Sequence, residues 1–310
     1  WFAPAPSSRR GASGCGGAGC GGSAKAPSGE INKRHRERDG AHHDNDREEV
    51  IKRTQEEGVV CIDVGTKYET SKKAVELAEK NENIYAAIGM HPIHIKTDLM
   101  KLKTDSEEGA FQPLGEEFNK EKYLELSKFK KVVAIGEIGL DYYYKPKTKA
   151  KLEKFKELQK QIFLQQLDMA EELNLPVVIH CRMAHEDVIQ ILKSKPKIKG
   201  VIHCFTGTVE QMRQYLKLGF YIGINGIIFK FNLDEIIKEC PLGKILTETD
   251  CPYLTPLPAV ALAKAGLQGY VRNEPIFIKH TIQKIADLKG ISFKEVVDKT
   301  TQNAKKLFKI

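Results

Sequence analysis

Nowhere in its 310 residues does the chain hold the ~18 to 20 consecutive apolar residues that a membrane span requires. The start of the sequence also lacks the apolar block of a signal peptide, so the expected compartment is the cytoplasm, with no membrane partner. Cysteine pairing is missing too. There are seven cysteines, an odd number, and Cys61, Cys181, Cys204, Cys240 and Cys251 lie scattered, mostly inside apolar runs. That excludes a disulfide framework and reads as reduced, buried thiols. Cys15 and Cys20 have no His or Cys partners at finger spacing, which argues against a zinc module in the Gly-rich tract around them. Residues 1–43 lack apolar periodicity and cannot bury enough surface to fold, so they are expected to form a disordered, low-complexity tail. They hold seven Lys/Arg against three acids, half of the net charge of +8. The remainder is mildly basic, which a solvated lysine-rich surface explains as well as a polyanionic partner does.

What is present reads as one large domain, with 41% hydrophobic and 29% charged residues. From Asp44 onward, short apolar runs alternate with longer amphipathic stretches, the signature of βαβ units and a parallel sheet. The strand-like runs are Val59–Val64, Tyr85–Gly89, Val132–Ile138, Pro176–His180, Gly200–Phe205, Tyr221–Ile228 and Lys244–Thr249. Helical patterns separate them, the longest over about Lys149–Leu173, and two more close the chain near Glu274–Leu288 and Ser292–Phe308. Residues 94–118 read as an irregular insertion. Seven such strands in residues 44–310 fit an α/β TIM (β/α)₈ barrel, typically ~250 residues, with its first strand missing or degraded. That strand should precede Asp44, where the charges and Gly40 of Glu30–His43 leave no run able to form a buried strand. An open doubly wound sheet is the structural alternative, because it needs no closure.

Catalytic groups of a barrel stand at the C-terminal ends of its strands. Glu137 ends Val-Val-Ala-Ile-Gly-Glu, His180 ends Val-Val-Ile-His, His203 sits in Val-Ile-His-Cys-Phe-Thr-Gly, and Asp250 follows Ile-Leu-Thr-Glu-Thr. Any one of them alone is compatible with a hydrogen-bonded core residue. Four polar groups at the same end of four parallel strands converge, and burying them without a cation would cost several kcal/mol. The mixed His, Asp and Glu set suits Zn²⁺, Mn²⁺ or Mg²⁺, and period two aims Cys181 and Cys204 the other way. His91 and Arg182 are candidate phosphate contacts, Arg offering a planar fork. Arg272-Asn273-Glu274-Pro275 reads as a helix start capped by Asn273, with an anion site around Arg272 as the second reading. Tyr142 to Tyr144, just past a strand end, include candidates for stacking on an unpaired base.

Six segments in order carry a resemblance: Gly-Met-His-Pro (89–92), Gly-Glu-Ile-Gly-Leu-Asp (136–141), Ile-His-Cys-Arg (179–182), His-Cys-Phe-Thr-Gly (203–207), Glu-Thr-Asp-Cys-Pro-Tyr-Leu (248–254) and Arg-Asn-Glu-Pro (272–275). The sequence resembles the TatD family of the amidohydrolase superfamily over residues 44–310. The resemblance implies a TIM-barrel metallohydrolase acting on DNA, single strands or 3′ ends, as a 3′ to 5′ exonuclease with one or two divalent cations. It implies that Glu137 bridges the metals, that His180 and His203 are ligands of one, and that Asp250 is a ligand of the other and takes the proton from the attacking water. One departure stands out: the family's His-x-His at the end of the first strand is absent, and the adjacent pair His42-His43 cannot replace it. Two origins fit the abrupt junction near residue 43, a shifted or mistaken start joined to a normal body, or a real variant. Either way low activity is expected, and rival readings are a metallohydrolase of another ester, an amide or an RNA end, and a metal-free remnant.

Overall fold

The computed structural model describes residues 2–4, 46–99, 115–143, 145–256 and 272–310. Eight strands form one sheet in chain order: β1 (Phe2–Pro4), β2 (Val59–Val64), β3 (Ile84–Ile88), β4 (Val132–Asp141), β5 (Val177–Arg182), β6 (Gly200–Ile202), β7 (Tyr221–Ile224) and β8 (Ile245–Thr247). From β2 to β8 every neighbouring pair is parallel, and helices on the outside connect them. The architecture is a TIM barrel with a degraded first strand. Burial explains the pattern: β4 is buried along nearly its whole length, as a strand covered on both faces must be.

The eighth strand is the unexpected one. β1 pairs antiparallel with β2, Phe2 opposite Cys61 and Pro4 opposite Val59. Its Cα atoms come within 8 Å of β8, yet no ladder joins the two, so among the described residues the sheet is curled but not closed. Residues 5–45, where most of the expected disordered tail falls, lie outside the described residues, as do residues 100–114 of the expected insertion.

Period two divides the side chains into two layers. Val178 and His180, Val201 and His203, and Leu246 and Glu248 share the inner face. The inner apolar layer, with Ile62, Ala87, Val133, Val178, Val201 and Leu246, is completed by Ala304, Leu307 and Phe308 of the last helix, Phe293–Phe308. The inside of the barrel is therefore apolar at one end and polar at the mouth. The larger layer packs the outer strand faces against the helices, and Cys181 belongs to it, as period two requires.

Several strands stop earlier than their apolar runs. β6 ends at Ile202, β7 at Ile224 before a 3₁₀ turn over Gly226–Phe229, and β8 at Thr247. The residues that follow, His203, Asn225 and Glu248, turn their side chains to the mouth, while the amides of His203 and Glu248 still donate to the carbonyls of Ile179 (2.8 Å) and Ile224 (3.0 Å) on the neighbouring strands. The long helix spans Lys149–Leu173 as its spacing predicts, ending at Asn174 in the left-handed region. The helix expected from Glu274 begins only at Ile278, after a 3₁₀ turn over Pro275–Phe277. Asn273 does not cap it: its amide donates to the carbonyls of Thr249 (2.7 Å) and Tyr253 (2.5 Å), bracing the loop after β8.

Two buried glutamines of the long helix hold the mouth. Gln166 accepts from the Met90 amide at 2.7 Å and donates to its carbonyl at 3.0 Å. Gln159 does the same for Asp141, at 2.8 and 3.0 Å. Between Glu137 and Asp141 the chain passes Gly139 at φ 145°, where a Cβ would stand 2.0 Å from the carbonyl oxygen of His180. Backbone in that region is essentially restricted to glycine and costs other residues about 1–3 kcal/mol before any clash. Gly139→Ala is expected to lower stability by at least that much, read as a fall in the urea midpoint, whereas Gly290→Ala, with nothing within 4 Å of its Cβ, should cost less.

Candidate metal centre

Glu137 stands at the centre of the mouth. Its Oε1 lies 2.9 Å from His180 Nδ1, 3.7 Å from His91 Nε2 and 3.8 Å from His203 Nε2. Four elements deliver these groups: the loop after β3, β4, β5 and the turn after β6. Asp250 joins from the turn after β8, its Oδ1 3.5 Å from His203 Nε2. Its backbone φ is 58°, and Cys204 beside His203 has φ 45°, so two of the turns at the mouth are held in a left-handed conformation that L residues seldom adopt.

Two further carboxylates, assigned no role in the sequence, stand behind the histidines. Asp141 Oδ2 is 3.0 Å from His180 Nε2. Glu248, fully buried, places Oε1 2.9 Å from His203 Nδ1 and accepts from the Cys204 amide at 2.6 Å. Gly223 makes room for it, since a Cβ there would lie 2.5 Å from Glu248 Oε2. Each imidazole thus has a carboxylate on the nitrogen that faces away from the centre or beside it, the arrangement that fixes ring orientation and ligand basicity in metal sites. The motifs Gly-Leu-Asp and Glu-Thr-Asp contained both residues. Only the fold shows which histidine each one meets.

His91, Glu137 and His180 bring one ligand atom each within 4.8 Å of one another, a cluster able to hold a divalent cation. The sequence of residues 35–309 matches the family described as TatD related DNase. The chain belongs to that family. Among its TatD relatives, the metal-dependent hydrolase YabD of Bacillus subtilis is 38% identical over 278 residues, covering 86% of this chain and 94% of YabD. The 3′-5′ ssDNA/RNA exonuclease TatD of Shigella flexneri is 35% identical over 272 residues, again 86% and 94%. The crystal structure of YjjV, a TatD homologue from Escherichia coli, superposes with a TM-score of 0.68 at 26% identity, covering 88% of this chain and 95% of YjjV. A TatD family hydrolase from Entamoeba histolytica gives 0.66 at 28% identity, covering 86% and 90%. The chain is a TatD-type metal-dependent hydrolase.

Electrostatics follow from the packing. Burial works against charge on His180, but its hydrogen bonds to Asp141 and Glu137 outweigh that and lift it to about 9. His203 is likewise raised, against burial, by Glu248 and Glu137. Burial also opposes ionisation of Glu137, yet the surrounding imidazoles of His203, His91 and His180 hold it well below the usual carboxylate range. His91 differs: burial, reinforced by His180, pushes it down to about 3 and keeps it neutral. Its Nδ1 accepts from the Ile93 amide at 3.1 Å, so the neutral ring carries its proton on Nε2, toward Glu137.

The remaining sequence candidates divide. Arg182 ends β5 two residues beyond His180, its guanidinium 3.6 Å from the Tyr143 ring centroid. Tyr142 turns inward and donates to Asp187 at 2.7 Å, and Tyr144 lies outside the described residues. Arg272 is engaged elsewhere. It pairs with Asp46 through both terminal nitrogens and with Glu274 at 3.7 Å, tying the helix Arg47–Glu56 to the loop before the 3₁₀ turn. No helix of the described residues is long and apolar enough to cross a membrane.

A pH effect follows with a definite sign. His180 titrates near 9 in the folded protein against an ordinary 6.5, so its stabilising contribution is complete below 6.5 and is lost as pH rises toward 9. Chelator-treated protein is expected to lose stability across that window in denaturant titrations, and His180→Gln should flatten the loss.

Proposed function

We propose that this chain hydrolyses phosphodiester bonds of DNA and releases nucleotides from the 3′ ends of single strands, using one or two divalent cations, Zn²⁺, Mn²⁺ or Mg²⁺. The observation that carries the reading is Glu137, a half-buried carboxylate among three imidazoles, two of which are backed by carboxylates of their own. Oxygen and nitrogen donors without thiolate suit these ions. Glu137, His180, His203 and Asp250 would hold the metal, with Glu137 shared if there are two. Such a cation lowers the pKa of bound water and polarises a phosphoryl oxygen.

The chain's own side chains supply the remaining steps. The Asp250 side chain is about one-third exposed, at 33%, and borders His203, which suits it to accept the proton of the attacking water. Asp141 and Glu248 orient the two imidazoles. His91, neutral and carrying its hydrogen on Nε2, can donate to a phosphoryl oxygen, and Arg182 offers its fork to a neighbouring phosphate. The engagement of Arg272 by Asp46 and Glu274 leaves it a structural role in this reading. The relative from Shigella, by its name an exonuclease of single-stranded DNA and RNA, supports both the polarity and the strand preference.

A specific observation also favours weak activity. The strand occupying the first position is Phe-Ala-Pro, antiparallel to its neighbour, and carries no imidazole. We infer that metal is held by fewer ligands than in a member with His-x-His there.

The test is release of labelled nucleotides from single-stranded DNA by the purified chain with Mn²⁺, Mg²⁺ or Zn²⁺. Slow, 3′-directed release that a chelator abolishes is expected, rising when a strand bearing His-x-His replaces residues 1–43. Asp250→Asn should lower kcat by about 10²–10⁴-fold, the usual contribution of a general base. Glu248→Gln should weaken metal binding about 10–100-fold in calorimetric titration. No stoichiometric uptake of Mn²⁺ or Zn²⁺ would favour the remnant reading, and faster turnover of another ester, an amide or an RNA end in substrate profiling would move the assignment there.

A further inference from the structure

The charge of this protein is not spread evenly. Residues 145–160 hold seven lysines and two glutamates, a surplus of five, while residues 1–43 carry a surplus of four. Against a total of +8, everything else together has a net charge of −1. The positive field of the folded part therefore originates in one short stretch, and its placement matters. That stretch leaves the end of β4 and forms the first turns of the long helix, Lys149–Leu173.

Gln159 fixes the height of the helix against the barrel, because it pairs with the backbone of Asp141 at the mouth. Ten residues of the helix, 149–158, precede Gln159, and at 1.5 Å per residue they extend about 15 Å beyond that level. Within them only Phe155 is buried. Lys145, Lys147, Lys149, Lys151 and Lys154 are exposed, and Lys156 is half-buried with its Nζ 5.1 Å from the Tyr142 ring centroid. The opposing charges nearby are Glu153, Glu157 and Asp187, with Lys156 3.9 Å from Glu153 and Lys160 2.9 Å from Asp187.

Between this projecting helix and the Glu137 cluster lies the pair Arg182 and Tyr143, a planar cation stacked on an aromatic ring. Arg182 shares the inner face of β5 with His180 and pairs in register with Asp141. Apolar side chains gather at the same rim. Of the five exposed large hydrophobic residues described, Ile93, Met183 and Phe231 follow the mouth ends of β3, β5 and β7. Cations in line with flat and apolar groups are what the phosphates and unpaired bases of a single strand require, whereas a duplex offers no exposed base faces.

We propose that Lys145, Lys147, Lys149 and Lys156, continuing into Arg182 and Tyr143, form a track that holds the phosphates and one base of a single-stranded nucleic acid leading away from the Glu137 cluster. This rests on the phosphodiesterase reading above and adds the path of the strand. Arg182 takes the phosphate nearest the cluster, Tyr143 meets a base, and the lysines pair with the phosphates beyond.

Binding of fluorescein-labelled oligothymidylate, measured by anisotropy in chelator over a range of salt, tests the track apart from cleavage. Replacing the four lysines by Gln is expected to reduce the slope of log affinity against log salt by about 0.7 for each phosphate that is no longer neutralised. Tyr143→Ala is expected to weaken binding about 5- to 150-fold, the span for loss of one stacked base. A control set with the same charge change away from the mouth, Lys128, Lys197, Lys217 and Lys294 each to Gln, should leave affinity and slope at the parent values. The track is refuted if the four-lysine variant keeps the parent's slope, or if the control set weakens binding as much. Failure of metal-dependent cleavage with the lysine effect intact would instead count against the phosphodiesterase reading alone.

Discussion

A carboxylate largely withdrawn from water needs compensation to remain ionised, and Glu137, half-buried at the mouth, is compensated by imidazoles brought from other segments of the chain. That constraint organises the mouth of the barrel. His180 and His203 can stay charged beside it only because the carboxylates of Asp141 and Glu248 lie 3.0 and 2.9 Å from their other nitrogens. The result is a chain of alternating acid and base, from Asp141 through His180, Glu137 and His203 to Glu248 and Asp250. A divalent cation held by this cluster would compete with the protons on its imidazoles, because ligand nitrogens must be deprotonated to bind metal.

The scaffold serves that network by keeping the two ends of the barrel interior chemically different. The last helix seals the far end with Ala304, Leu307 and Phe308, against apolar residues that alternate with the site residues along the same strands. The long helix does the opposite at the mouth, where Gln159 and Gln166 supply amide groups to the backbone at the end of β4 and just beyond β3. Rigidity at the mouth thus comes from polar pairing and left-handed turns, and stability comes from the apolar layer below. The first strand is the weak point of this construction. An antiparallel three-residue strand pairs with β2 but forms no ladder to β8, so the cylinder is held at that seam by less than a parallel strand would give.

Much of this is legible in the sequence for a simple reason. Short apolar runs mark the buried strands, and the His, Asp or Glu that closes four of them marks the end at which chemistry sits, so β2 to β8 and the four candidate ligands can be read directly. Strand ends are less legible: nothing in Val-Ile-His-Cys-Phe distinguishes a continuing strand from one that stops at Ile202 so that His203 can turn to Glu137. Asn273 is a similar case. Its position before Pro275 has the pattern of a helix cap, but two carbonyls after β8 compete for the same amide and win. Arg272 reads as available for an anion until the fold brings up Asp46, more than two hundred residues away in the chain, to take it.

Sequence alone determined the alternation of strand and helix, the set of polar residues at strand ends, the family, and the absence of a His-x-His before Asp44, because each of these depends on residue type and local period. Tertiary structure alone decided which carboxylate backs which histidine, that His91 carries its hydrogen toward Glu137, that an antiparallel strand stands in the first position, and that the lysine-rich turns project over the mouth. Those outcomes depend on distances between segments far apart in the chain, and no local pattern encodes a distance.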